Sequence, residues 1–321
     1  MNIPSGHCLH KKGKKGFKQS PYLQELACYV GQLVPFDEGS LMMGKFKGIS
    51  LTDKQIERLT HHYGQVLEMD LMATQPLTTP TPADAKRHYA MMDGSMVFVR
   101  EQGWRELKLG RVFAESSCYK AKKRGVISAS HYVAHLGGHE DFLAKFDQTL
   151  SHKSDLIAVG DGARWIWDFW DIHHPEAVQI LDYFHAIEKI GTWAVLAIKD
   201  KGSVRDWLAV CESLLLANNL GEVQEMIEGV DCQGCTAEKR QALLTYLSNN
   251  KRRMQYKTYL EQGLFIGSGA MESANKSVIQ KRLKLSGQRW TEGGVQQVAN
   301  LRVTFKNEQW DRVVSHIKIA A

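Results

Sequence analysis

Residues 155–161 read Asp155-Leu156-Ile157-Ala158-Val159-Gly160-Asp161. The uninterrupted apolar run at 156–159 is the pattern of a strand covered on both faces, and Asp161 follows at its carboxyl end. Open α/β sheets place their ligand groups there. A second β-prone stretch, His88-Tyr-Ala-Met-Met-Asp-Gly-Ser-Met-Val-Phe-Val99, carries Asp93, which period-two counting puts on the same face as Tyr89 and Met91. A carboxylate in mid-strand is costly unless something pairs with it. The third acid, Glu272, follows the loop Gly267-Ser268-Gly269 and opens a helical pattern with Val278, Ile279 and Leu283, so it projects from the first turn.

These acids lie far apart in the chain and can meet only through a fold. Together they suggest a two-metal site for nucleotidyl transfer. Magnesium takes oxygen ligands and few carboxylates, and two such ions roughly 3.5–4 Å apart activate an attacking oxygen and stabilise a leaving one. Each acid also has a plainer account. Asp93 and Asp161 each precede a glycine, which is good turn chemistry. An acid in the first turn of a helix is favoured by the macrodipole whatever the helix does.

Five blocks occur in order: MMDGSMVFV, AVGDGARWIW, LDYFHAIEKI, the long segment from Gly267 to Arg302, and the closing QWDRVV. In these the chain resembles the ISKra group of bacterial insertion-sequence transposases, related to the Mutator-like DDE class, over roughly residues 20 to 315. The resemblance implies an RNase H-like catalytic core of α/β class. It also implies an α-helical insertion between the second and third acids, and two Mg²⁺ or Mn²⁺ ions held by Asp93, Asp161 and Glu272. A family D/C-x-x-H signature falls on Asp182-Tyr183-Phe184-His185. His185 is then expected near the triad, contacting DNA phosphate or orienting a carboxylate; the alternative is a core histidine at a strand-to-helix junction. Family members carry a longer, cysteine-rich N-terminal segment. Here only Cys8 and His10 stand beside a lysine run, so residues 1–19 read as a basic tail left from a zinc ribbon.

With 321 residues, 43% hydrophobic and 24% charged, the chain is long enough for one large core and two or three modules. No apolar run reaches membrane-span length and the start lacks a signal-peptide core, so a cytoplasmic, nucleoid-associated protein is expected. Cys232 and Cys235 form a lone CxxC pair, a weak zinc signal beside the alternative of two reduced thiols.

The net charge of +6 is unevenly placed. Lysines crowd residues 11–18, a second cluster spans 120–124, a third spans 251–257, and a fourth comprises Lys276, Lys281, Arg282, Lys284 and Arg289. One such run is usually solvated surface, but four in a chain with a candidate phosphoryl-transfer site favour a polyanionic partner, which the resemblance implies is double-stranded DNA. Lys276 lies one turn beyond Glu272. The resemblance adds transposon terminal inverted repeats and target DNA as partners, bound by a homodimer or higher oligomer.

Pro76, Pro80 and Pro82 mark a linker over 71–86. Ahead of it, Leu23, Leu26, Ala27, Val30 and Leu33 predict a helix, followed by helices near 36–45 and 53–68 around a Gly48 turn, with Ser50 or Thr52 as the last cap. Residues 20–70 are compatible with a helix-turn-helix-like DNA-binding domain, and a chain starting near Ala85 is expected to keep the chemistry. Beyond the linker, strands are predicted at 87–100, 104–114, 126–136, 155–161 and 177–182, with a helix at 138–151. The core would run over 87–185, the helical insertion over 186–262, and the closing core helices over 263–321. Trp290 is expected to pack a loop under those helices. The reading is thus a DNA transposase; the alternatives are an RNase H-like structure-specific nuclease or a catalytically inactive DNA-binding relic.

Overall fold

The computed structural model describes residues 17–73, 87–121, 124–151, 153 and 155–320. The lysines at 11–15, the three prolines of the expected linker, and Lys122 and Lys123 lie outside them.

Three helices come first: α1 (Pro21–Leu33), α2 (Phe36–Lys47) and α3 (Asp53–Ala73). Ser20 caps α1 by accepting from the Leu23 N–H. Thr52 and Gln55 close a reciprocal box at the start of α3: Thr52 N–H donates to Gln55 Oε1 at 2.9 Å and Gln55 N–H to Thr52 Oγ1 at 3.2 Å. Between them Gly48 ends α2 at φ 64°, a left-handed conformation that glycine adopts without Cβ strain.

The sheet follows, with β1 (His88–Val99), β2 (Gly103–Ala114), β3 (Cys118–Ala121), β4 (Arg124–Ile127), β5 (His131–Leu136), α4 (His139–Leu150), β6 (Leu156–Gly160), α5 (Arg164–His173) and β7 (Val178–Leu181). Its order is β5-β2-β1-β6-β7, and β3 with β4 forms a separate hairpin. β1 pairs antiparallel with β2 and parallel with β6, β2 pairs antiparallel with β5, and β6 pairs parallel with β7. The strand expected at 126–136 is therefore divided. Ser128 N–H and Oγ both donate to the Ser117 carbonyl, closing the hairpin before β5 begins.

The faces of the sheet are set by period two. Gly110 of β2 lies so close to Phe146 of α4 that an added Cβ would meet that ring at 2.3 Å, so α4 packs on the Gly110 face. Arg111 points the other way and donates to the Ala270 carbonyl. β1 and β6 supply fully apolar positions to both layers, among them Tyr89, Val97, Ile157 and Ala158.

Residues after β7 are helical: α6 (Tyr183–Ala197), α7 (Lys201–Leu216), α8 (Leu220–Glu228), α9 (Cys235–Asn250) and α10 (Tyr256–Glu261). The chain then returns through α11 (Gly269–Ala274), a π-helical turn (Asn275–Gln280), α12 (Lys281–Leu283), α13 (Glu292–Lys306) and α14 (Trp310–Ala320). Among the described residues no helix is long and apolar enough to cross a membrane.

The first three helices do not stand apart. Leu23, Ala27, Ile56, Leu59, Tyr63 and Leu67 share one core with Leu301, Val313 and Ile317 of α13 and α14. Gly64 of α3 abuts α13 so closely that a Cβ there would meet the Gln297 carbonyl oxygen at 2.2 Å. Consequently α3, the last helix of the expected helix-turn-helix-like domain, keeps among its described residues a stripe of exposed positions that includes Lys54, Arg58, His62 and Gln65.

Candidate active site

Asp93 and Asp161 are brought together by strand register. Met91 is the partner of Val159 in the parallel β1–β6 ladder, and each acid lies two residues further on its own chain, on the same face. Their charges feel each other. Burial first, then Asp161 and Glu106, push the Asp93 carboxyl up to about 6, against the lowering influence of the Gly94 N–H and of His185.

Asp93 Oδ1 accepts from the Gly94 N–H at 2.7 Å, and Oδ2 accepts from Asn275 Nδ2 at 2.5 Å. Asn275 is held in turn by Ser95, whose hydroxyl donates to Asn275 Oδ1 at 3.1 Å. This amide stands on the π-helical turn one turn after Glu272. π-Turns are rare and concentrate at functional sites. Here the wider turn carries Asn275, 3% exposed, inward against β1.

Asp161 accepts from the Ala163 N–H at 3.0 Å, so its carboxylate bends back over the turn it opens. That turn needs Gly162, which sits at φ 95° with Tyr246 packed where a Cβ would be. Tyr246 of α9 donates its hydroxyl to the Asp161 carbonyl at 2.9 Å, and its phenol is pushed up by burial and by the nearby Asp161 and Asp182 charges.

Asp182, 3% exposed, caps α6 by accepting from the Phe184 and His185 N–H groups. Its second oxygen accepts from the Ser268 N–H at 3.0 Å and from the Ser268 hydroxyl. Asp182 thus fastens the loop that leads to Glu272. His185 is half-buried, with Nδ1 3.6 Å from Glu188, and it lies within electrostatic reach of Asp93.

Glu272 is exposed in the first turn of α11. Among the described residues, no group of three or more His, Cys, Asp and Glu side chains is gathered closely enough to hold an ion. Asp93 and Asp161 are the two carboxylates that could hold magnesium, which binds one or two carboxylates and keeps its other positions for water and phosphate. Glu272 is joined to the pair through its own helix and Asn275.

Of the five basic residues expected to meet DNA, Lys276, Lys281, Lys284 and Arg289 are exposed. Arg282 is not: it is 1% exposed, its Nε donates to the Gly31 carbonyl at 3.0 Å, and its guanidinium lies over the rings of Phe36 and Trp290. It shares the inward side of a short helix with Leu283, while Lys281 and Lys284 on the same basic run are exposed, which charge alone does not reveal. Trp290 is buried as expected, donating its indole N–H to the Leu283 carbonyl at 3.0 Å and pairing through its backbone with the end of β1. Cys232 is a free thiol, and the side chain of Cys235 lies outside the described residues.

Beside the site lies a groove of about 1030 Å³, bounded by the β3–β4 hairpin and the loop 264–270. Tyr119, Phe184 and Phe265 line it and are exposed, at 52%, 64% and 41%. Three supporting side chains escaped the sequence reading. Asn275 was within reach of it, three residues after Glu272, whereas Tyr246 and Ser268 carry no local signal. No protein-family model and no curated protein matches the chain.

Proposed function

We propose that this chain is a metal-dependent polynucleotidyl transferase, a DNA transposase of the DDE type built on an RNase H-like core. The observation that carries the reading is the placement of Asp93 on β1 and of Asp161 just past the carboxyl end of its parallel neighbour β6, each two residues beyond the paired Met91 and Val159. The reading is further supported by the strand order, three antiparallel strands extended by two parallel ones, and by the helices between β7 and α11.

In this reading Asp93 and Asp161 hold magnesium or manganese, with Glu272 completing the set when nucleic acid is bound. The ions supply charge stabilisation and an activated oxygen for in-line displacement at phosphorus. The protein's own part is positioning. Asn275 fixes the rotamer of Asp93, Asp182 and Ser268 fix the loop ahead of Glu272, and Tyr246 fixes the turn of Asp161. Lys276, Lys281, Lys284 and Arg289 lie outward on the same return segment, available to DNA phosphates. The exposed aromatics of the groove suit unpaired bases at a cut end. The partners are the terminal inverted repeats of a mobile element and target DNA, bound by a homodimer or higher oligomer in the cytoplasm.

The test is strand cleavage and transfer on a plasmid carrying the DNA that flanks the reading frame, with Mg²⁺ or Mn²⁺. Hydrolysis that frees a 3′-hydroxyl, followed by its joining to target DNA, and loss of both in Asp93→Asn and Asp161→Asn, is expected. Cleavage without joining would assign a structure-specific nuclease instead. Wild-type cleavage by either variant would end the reading.

A further inference from the structure

A second cavity, of about 370 Å³, lies away from the acids, where α2, α3 and the loop before α13 converge. Arg282, 1% exposed, is among the residues that line it. The Nε of this residue is used by Gly31, but Nη1 and Nη2 are buried and have no hydrogen-bond partner. A buried guanidinium nitrogen without an acceptor forfeits its hydration with nothing in return, so native folds rarely leave one. His61 Nε2, also buried and unpartnered, faces the same space.

Three helices begin at this cavity. Phe36 and Asp37 open the 12-residue α2, whose N-terminus has no side-chain cap; Asp53 opens the 21-residue α3; Thr291 precedes the 15-residue α13. Their positive ends add to the guanidinium. Arg100 and Arg289, both exposed, stand at the rim. The acids that line the cavity are Asp37, Asp53 and Glu57; Glu57 is engaged by Lys54 at 2.8 Å. None of the three is bonded to Arg282.

We propose that this cavity is a phosphate-binding site, in which the two free guanidinium nitrogens of Arg282 grip two oxygens of one phosphate group while Arg100 and Arg289 close over it. A planar fork that meets two oxygens at once is the arrangement that favours phosphate over a halide. The site is independent of the carboxylate pair and stands whether or not the chain transfers phosphoryl groups. Two sources share the chemistry: inorganic phosphate, and the terminal 5′-phosphate of a DNA end.

The experiment uses the full chain. Thermal unfolding is followed across a series of inorganic phosphate concentrations at constant ionic strength set with chloride, for wild type, the rim variant Arg100→Ala/Arg289→Ala, and Arg282→Lys. A saturable rise in Tm with phosphate in the wild type, weakened at least fivefold in midpoint by the rim variant, is expected. The rim residues are exposed, so that variant remains informative if Arg282→Lys does not fold. A parallel arm measures binding of a short duplex with and without a 5′-phosphate. Tighter binding of the phosphorylated end, lost in the rim variant, assigns the site to DNA ends. Equal binding of both ends alongside a saturable phosphate effect assigns it to the free ion. No phosphate effect and no preference between ends, or effects equal in wild type and rim variant, would overturn the proposal.

Discussion

Asn275 donates a hydrogen bond to Asp93 at 2.5 Å, bridging a π-helical turn near the chain's end to the central strand of the sheet. The same amide accepts from Ser95, so its orientation is fixed from both sides. One amide therefore sets both the rotamer of a strand carboxylate and the approach of the helix that bears Glu272.

Removing that amide should loosen the site without unfolding the protein. Asn275→Ala is expected to weaken divalent-cation binding or strand cleavage by about 10–100-fold, the usual cost of losing a group that orients a ligand. Asn275→Asp should be worse, because a second carboxylate then faces Asp93. Cation titration by calorimetry, with circular dichroism to verify the fold, decides it. Unchanged cation affinity in both variants would show that Asn275 only packs.

Asp93 itself should make the cation-free protein sensitive to pH. Its carboxyl is raised from 3.8 to about 6 in the folded state, chiefly by burial and then by Asp161 and Glu106. The native state therefore binds this proton more tightly than the unfolded chain. The resulting stability is fully present below about pH 4 and is lost as pH rises through about 6. Each tenfold change in proton affinity is worth ~1.4 kcal/mol, and solvent screening reduces the whole effect to on the order of 1–2 kcal/mol. In chelator, Asp93→Asn should melt above the wild type at pH 8 and near it at pH 4.5. A gap that does not narrow with falling pH would contradict this.

The acids were legible in sequence because each stands where local pattern gives its setting away: Asp161 after four apolar residues, Asp93 inside an alternating strand, Glu272 after a glycine-rich loop. The helices before the expected linker were legible too, since the apolar spacing from Leu23 to Leu33, the Gly48 turn and Thr52 mark them. What pattern does not carry is the partner of each apolar face. Leu59 and Tyr63 look the same in sequence whether they cover a small module or α13. Nor does it separate an outward arginine from an inward one. Arg282 and Lys284 differ by two positions on one basic run, yet one is buried over Trp290 and the other is exposed.

A second inward arginine should be a keystone of stability. Arg302 of α13 donates Nε to the Val278 carbonyl, Nη2 to the Ser277 carbonyl, and Nη1 to the Gln32 carbonyl at 2.6 Å, joining the π-helical turn to the end of α1. Burial pushes its guanidinium down to about 10. Arg302→Met keeps much of the stem but leaves three carbonyls without their donor, so a loss of about 3 kcal/mol or more is expected. Arg302→Lys should recover little, because one ammonium does not span the three acceptors. Urea unfolding measures this, and a loss below about 1 kcal/mol in the Met variant would mean that water replaces the guanidinium.

A chain starting at Ala85 tests whether the first three helices are separable, as the proline-rich segment suggested. It removes Leu23, Ala27, Ile56, Leu59, Tyr63 and Leu67 from the core they share with Leu301, Val313 and Ile317. It also removes the Gly31 and Gln32 carbonyls that receive Arg282 and Arg302, leaving two buried guanidinium groups short of acceptors. Exposing a contiguous apolar face on α13 and α14 favours self-association, and each large side chain uncovered costs about 1.5–3 kcal/mol. Those losses together are comparable with the whole stability of an ordinary domain, about 5–15 kcal/mol. The shortened chain is therefore expected to aggregate or to melt without a cooperative transition, and to lose cleavage with its fold rather than losing preference for one DNA sequence. Adding residues 17–73 as a separate polypeptide should restore solubility if the shared core is the cause. A soluble shortened chain that melts cooperatively near the full-length Tm would show that the sheet and the return helices fold without α1, α2 and α3.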